Sequence, residues 1–187
     1  MMVRSKDDGL TWSEPENWTK RLKDPKWCLF APAPGNGINL MDGTLVMPTQ
    51  GRDATGLPFS NFMWSRDHGK SWTLSSPARD NTTECSVAEL KNGSLMLNIR
   101  DNRNRKDKSK TNGRAVSVTE DMGKTWKVHS SDHGALPEPV CMASLISHDL
   151  KDGRRVLFFS NPNSKYKREK MTVRMSLDQG KTWPKSI

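Results

Sequence analysis

The sequence predicts an all-β fold, a β-propeller of four-stranded blades. Three observations carry the prediction: an eight-residue phrase recurring at even spacing, tight-turn dipeptides between alternating apolar runs, and no sustained helical period. The phrase reads Ser5-Lys6-Asp7-Asp8-Gly9-Leu10-Thr11-Trp12 at its first occurrence and returns at 65–72, 119–126 and 176–183. Its shared pattern is Ser/Thr-x-Asp-x-Gly-x-Thr/Ser-Trp, and Asp7, Asp67, Asp121 and Asp178 lie 60, 54 and 57 residues apart. Each residue type has a task in a turn. Asp accepts hydrogen bonds from turn amides, Gly takes a backbone conformation closed to other residues, and Trp anchors the turn by burial.

The elements follow in order from the first phrase. Asp42-Gly43 separates Ile38–Leu40 from Thr44–Met47, Asn92-Gly93 separates Val87–Leu90 from Ser94–Leu97, and Asp152-Gly153 separates Leu145–Ile146 from Val156–Phe159. Such dipeptides between alternating runs predict hairpins, here with two-residue loops. A further strand precedes each later phrase, at Phe59–Ser65, Ala115–Thr119 and Met171–Ser176. One unit therefore reads strand A, tight turn, strand B, loop, strand C, phrase turn, strand D, which describes a propeller blade. The chain holds three such units with one phrase in front, and it opens inside a repeat on Met1–Arg4. The expectation is a piece of a larger propeller, since an open half exposes strand edges.

Composition narrows the function. The 187 residues form one expected domain, 1–187, of ordinary size. No apolar run approaches the length of a membrane span, and no leader is visible, which leaves export open. Cys28, Cys85 and Cys141 are widely spaced and odd in number, so buried free thiols are expected and no disulfide framework. The histidines 68, 129, 133 and 148 show no ligand spacing and read as surface or loop residues; no metal or cofactor is implied. A net charge of +9 favours anionic partners, and Arg100–Arg114 holds seven Lys/Arg against Asp101 and Asp107. A solvated loop is the ordinary meaning of such a run. Nucleic acid is disfavoured, because no aromatic residues interleave the basic ones and no recognition-helix pattern appears.

Topology then selects an end of the blade. The A–B turns and phrase turns share one end, and the B–C loops share the other. Gln50, Arg100 and Ser160 each stand seven residues after a turn glycine, at the exit of strand B. With a two-residue loop at Asn92-Gly93, Cys85 faces Arg100, and Glu84 lies one step from it. Arg168 precedes strand C of the next unit at the same end. One acid and two arginines thus point toward one rim, as a structural ion pair or as a ligand site. The phrases lie at the other end and read as structural, with Trp12, Trp72, Trp126 and Trp183 as packing residues.

The four octets resemble the Asp-box, or bacterial neuraminidase repeat, and the whole chain resembles the catalytic propeller of bacterial sialidases, six-bladed in that family. Thr83–Arg100 is similar to the family's Glu-to-Arg stretch. Phe159-Ser160-Asn161-Pro162 with Arg168 and Val173-Arg174-Met175-Ser176 is similar to the segment bearing its third arginine. Gly35-Asn36-Gly37-Ile38 with Asp42–Val46 matches the early blades. The resemblance implies that Arg100 and Arg168 clamp the sialic acid carboxylate, while Glu84 accepts the proton of a nucleophilic tyrosine in a retaining mechanism. Gln50 would line the glycerol or N-acetyl pocket. The family's first arginine and acid aspartate lie upstream of its first box and its tyrosine downstream of the last. Tyr166 is misplaced for that role, so this chain alone is expected not to hydrolyse sialosides. The implied function is an exo-α-sialidase acting on sialylated glycans, secreted, periplasmic or at the surface of a bacterium. A non-catalytic Asp-box propeller that binds glycans or proteins stays open as the alternative, as does another glycosidase class on this scaffold.

Overall fold

The computed structural model describes residues 1–106 and 112–186. Asp107, Lys108 and Lys110 of the basic run lie outside the described residues. After the first box and one short helix, α1 (Thr19–Leu22), come three antiparallel sheets. The first holds β1 (Leu29–Pro32), β2 (Ile38–Asn39), β3 (Leu45–Arg52), β4 (Pro58–Ser65), β5 (Thr73–Leu74) and β6 (Arg79–Asp80). The second holds β7 (Thr82–Glu89), β8 (Leu95–Asp101), β9 (Ala115–Thr119) and β10 (Lys127–Val128), with a 3-10 turn at Asn102–Arg105 between β8 and β9. The third holds β11 (Ser144–Asp149), β12 (Arg155–Pro162), β13 (Met171–Ser176) and β14 (Lys185–Ser186). Each sheet runs A–B–C–D, so the three blades and their strand order are those the repeats predict. In the first blade, strand A is split, because β1 and β2 both pair with β3 around Pro34 and Gly35. Proline lacks the ladder N–H, which accounts for the break.

The hairpin loops differ from expectation by one residue. Leu40, Leu90 and Leu150 donate their N–H groups to the carbonyls of Thr44, Ser94 and Arg154 at 2.9, 2.8 and 2.7 Å. Three residues therefore span each turn, with the glycine at φ 85°, 81° and 81°. A tight turn followed by a left-handed glycine is the common three-residue hairpin. The register moves accordingly: Cys85 faces Ile99, not Arg100, and the pairing shifts at a bulge between Thr82 and Cys85.

All four boxes share one hydrogen-bond pattern. At the second, Asp67 accepts from Ser71 N at 2.9 Å and Ser71 Oγ at 2.6 Å, while Ser65 Oγ accepts from Gly69 N at 2.9 Å. The hydroxyl and amide donors hold the box carboxyls low, Asp7 at about 2. The residue before each glycine is also left-handed (Asp8, His68, Met122 and Gln179, φ 56–62°), a second constraint invisible in the pattern. The tryptophans are not equivalent. Trp183 is 9% exposed and packs on Phe159 at 5.7 Å between ring centroids, whereas Trp12 is 61% exposed and does not pack as expected. Trp126 departs in another way, donating across the blade boundary to the Ser76 carbonyl at 3.1 Å.

Blades stack because strand residues alternate between two neighbours. Val87, Leu95, Leu97 and Ile99 of the second blade join Val46 and Phe62 of the first, while Ala88, Met96 and Val116 join Leu145, Leu157 and Phe159 of the third. The middle blade is therefore apolar on both faces, like any sheet sandwiched between two others. Cys85 is buried here, its thiol pushed up to about 12 by burial. Cys141 is half-buried and Cys28 is exposed, against the expectation of burial for all three; Cys28 just precedes β1, at the edge of the first sheet. Among the described residues no helix is long and apolar enough to cross a membrane.

Candidate functional site

The rim opposite the boxes gathers the predicted residues. Glu84 stands at the bulge of β7 and Arg100 near the end of β8. Arg100 Nη1 donates to Glu84 Oε2 in a direct ion pair, with side chains 14% and 23% exposed. The corrected register accounts for the closeness, since continuing the Cys85–Ile99 pairing by one residue sets Glu84 across from Arg100. Arg100 Nε is buried with no partner. Arg168 comes from the loop between β12 and β13, and its Nη2 donates to the Val140 carbonyl at 3.1 Å. Arg100 and Arg168, with Arg105, Pro139 and Val140, line one cleft of about 340 Å³. Arg100, Arg105 and Arg168 bring three guanidinium groups to the cleft with no carboxylate among its lining residues, while Glu84 pairs with Arg100; planar donors of this kind suit a carboxylate in fork geometry. Gln50, on β3 opposite Ala31 and Ser60, is not among the lining residues.

The cleft floor rests on residues that sequence reasoning passed over. Val140 has φ 59°, a left-handed conformation strained for a β-branched side chain. That conformation is held from below. Glu138, fully buried, accepts from Cys141 N at 2.9 Å, Asp101 N at 3.2 Å and Asn104 Nδ2 at 2.6 Å. Its cation is Arg114, 1% exposed, with Nη1 at 3.5 Å from Glu138 Oε1 and 2.6 Å from the Cys141 carbonyl. Burial pushes Glu138 up and Arg114 down, each partly countered by the other's charge. One buried pair thus fixes both Asp101, next to Arg100, and Cys141, next to Val140. In the sequence Arg114 enters only as net charge, and the Pro-Glu-Pro setting of Glu138 carries no pattern.

A second network braces the same loop from outside. His133 lies between Asp101 Oδ2 at 2.7 Å and Asp132 Oδ2 at 2.9 Å. It lies in the loop after β10, within the surface-or-loop reading, and is a half-buried ion-pair residue there. Hydrogen bonds to Asp101 and then Asp132 raise it to about 9, so it is cationic at neutral pH. Arg79 and Arg103 pair with the far sides of Asp132 and Asp101 at 2.7 and 2.9 Å.

Residues 1–187 match the BNR repeat-like domain family. The chain is 50% identical to a sialidase of Bacteroides fragilis over 98% of its own length and 33% of that protein's. It superposes on a solved structure, Hadza microbial sialidase Hz136, with a TM-score of 0.92 and 48% identity, covering 99% of this chain and 35% of that one. Trypanosoma rangeli sialidase in complex with sialic acid matches at a TM-score of 0.74 and 25% identity, covering 94% of this chain and 29% of that one. The chain spans about a third of the length of these three relatives.

Proposed function

The chain belongs to the BNR repeat-like domain family, and on that premise we propose that the full-length protein is an exo-α-sialidase. It releases terminal sialic acid from glycoconjugates with retention. The observation that carries this reading is the cleft shared by Arg100 and Arg168, with Glu84 bound directly to Arg100. In it, the two guanidiniums clamp the substrate carboxylate. Glu84 takes the proton of a tyrosine nucleophile, the exception among retaining glycosidases. A neutral phenol suits a substrate whose anomeric carbon already bears a carboxylate, because an anionic nucleophile would be repelled. The tyrosine is sought outside the 187 residues. Sialylated glycans are extracellular, so the proposed location is the exterior, the periplasm or the surface of a bacterium. The test is turnover of 3′-sialyllactose by the full-length protein, followed by proton NMR. Release of the α-anomer first supports the proposal; no release, or β first, contradicts it.

A further inference from the structure

The Arg100/Arg168 cleft does not end at Arg105. That side chain also walls a second cleft of about 560 Å³, lined by Arg52, Asn81, Asn102, Arg103 and Lys106. No carboxylate lines it among the described residues. Among the described residues its cations are largely uncommitted. Arg52 donates to a neutral carbonyl, that of Gly56, at 3.1 Å, and Arg105 and Lys106 make no ion pair among the described residues. Arg103 pairs through Nε with Asp101 at 2.9 Å, but its Nη2 is buried with no partner.

The turn that carries Arg103 and Arg105 is also held in place. Asn104, between Arg103 and Arg105, is fully buried and donates to Glu138 at 2.6 Å and to the Gly113 carbonyl at 3.2 Å. Asp101 accepts the Arg103 amide at 2.9 Å, which fixes the start of the 3-10 turn. With Asn104 turned in, its neighbours Arg103 and Arg105 both reach the second cleft. The basic run of the sequence thus divides. Arg114 turns inward to its buried pair, while Arg103, Arg105 and Lys106 line a cleft that shares Arg105 with the site.

We propose that this second cleft is a subsite for an anionic group on the sugar next to the departing sialic acid, the carboxylate of a second sialyl unit or a sulfate ester. It rests on the sialidase reading above. Arg105, common to both clefts, bridges the two anions, and the groove ranks acidic glycans above neutral ones.

The test compares kcat/KM of the full-length protein on three substrates: 3′-sialyllactose, an α2,8-linked disialyl-lactose, and a sialyllactosamine sulfated on the penultimate sugar. The expected result is a preference of about tenfold for at least one acidic substrate, the size of one charge-assisted hydrogen bond. Whichever is preferred identifies the anion. In the Arg52→Gln/Lys106→Gln variant the preference collapses toward unity while sialyllactose turnover stays within about twofold; in the wild type, added salt erodes it in the same way. Equal kcat/KM on all three, or a preference that survives both the variant and salt, overturns the subsite and leaves the sialidase reading standing. Turnover of none strikes the sialidase reading and the subsite together.

Discussion

Replacing Glu138 by Gln separates the buried support from the chemistry it carries. The carboxylate receives three hydrogen bonds and faces Arg114 at 3.5 Å, with both side chains at 1% exposure or less. Glutamine has the same shape, but one oxygen becomes a donor. That amide meets either Cys141 N–H and Arg114 on one side or Asp101 N–H and Asn104 on the other, so donors oppose donors whichever way it turns. Arg114 then keeps only the Asn98 and Cys141 oxygens against its buried charge. Breaking one half of a buried pair costs about 3–5 kcal/mol. Burial already pushes Glu138 up, so losing its charge recovers part of that cost, and the expected value is near 3. At roughly 2–4 °C per kcal/mol for a chain of this size, thermal unfolding should shift down by about 6–12 °C. The paired change Glu138→Leu with Arg114→Met should restore much of the loss, because an apolar pair pays no desolvation. In the full-length protein, Glu138→Gln should raise KM more than it lowers kcat, since it loosens the loop carrying the Val140 carbonyl that holds Arg168. A shift under about 2 °C for Glu138→Gln, or no recovery in the double variant, refutes this reasoning.

The remaining predictions test other links. His133 stands near 9 in the folded chain and near 6.5 unfolded, so its contribution is complete below about pH 6.5 and is lost as pH rises through about 9. The loss is at most about 3 kcal/mol for a side chain 22% exposed, and stability measured across that window should fall in the wild type and stay flatter in His133→Gln. Trp183→Ala should cost about 3–5 kcal/mol by denaturant unfolding, whereas the exposed Trp12 should cost under about 1 despite its identical motif position. Gly123→Ala should destabilise far more than Gly43→Ala. Both glycines are left-handed, but a Cβ at 123 would sit 2.4 Å from Ser75 Cβ, while one at 43 meets nothing within 4 Å.

Much of this fold was readable because its determinants are local and repeated. The Asp, Gly and hydroxyl positions of each box make the same bonds four times, and strand C ends where each of the last three phrases begins. The one-residue error at Asn92-Gly93 had a local cause too. Dipeptides of this kind serve two- and three-residue loops alike, and the choice lies in the φ of Gly93 and the Leu90–Ser94 bonds. The rim placement of Glu84, Arg100 and Arg168 survived the error, because strand direction alone decides which end a residue reaches. Arg114, Glu138 and Val140 were illegible for another reason. Their roles come from three segments meeting at one buried point, and neither spacing nor composition records a meeting in space.

The most direct test of the central claim is steady-state kinetics of Glu84→Gln, Arg100→Ala and Arg168→Ala in the full-length protein on a fluorogenic sialoside. If Glu84 handles a proton and the arginines hold a carboxylate, Glu84→Gln lowers kcat by about 10²–10⁴ with little change in KM. Each arginine variant also raises KM, by about tenfold or more for a lost charge-assisted hydrogen bond. Unchanged kinetics in all three variants would mean that the Glu84–Arg100 contact is a structural ion pair and that the chemistry lies elsewhere.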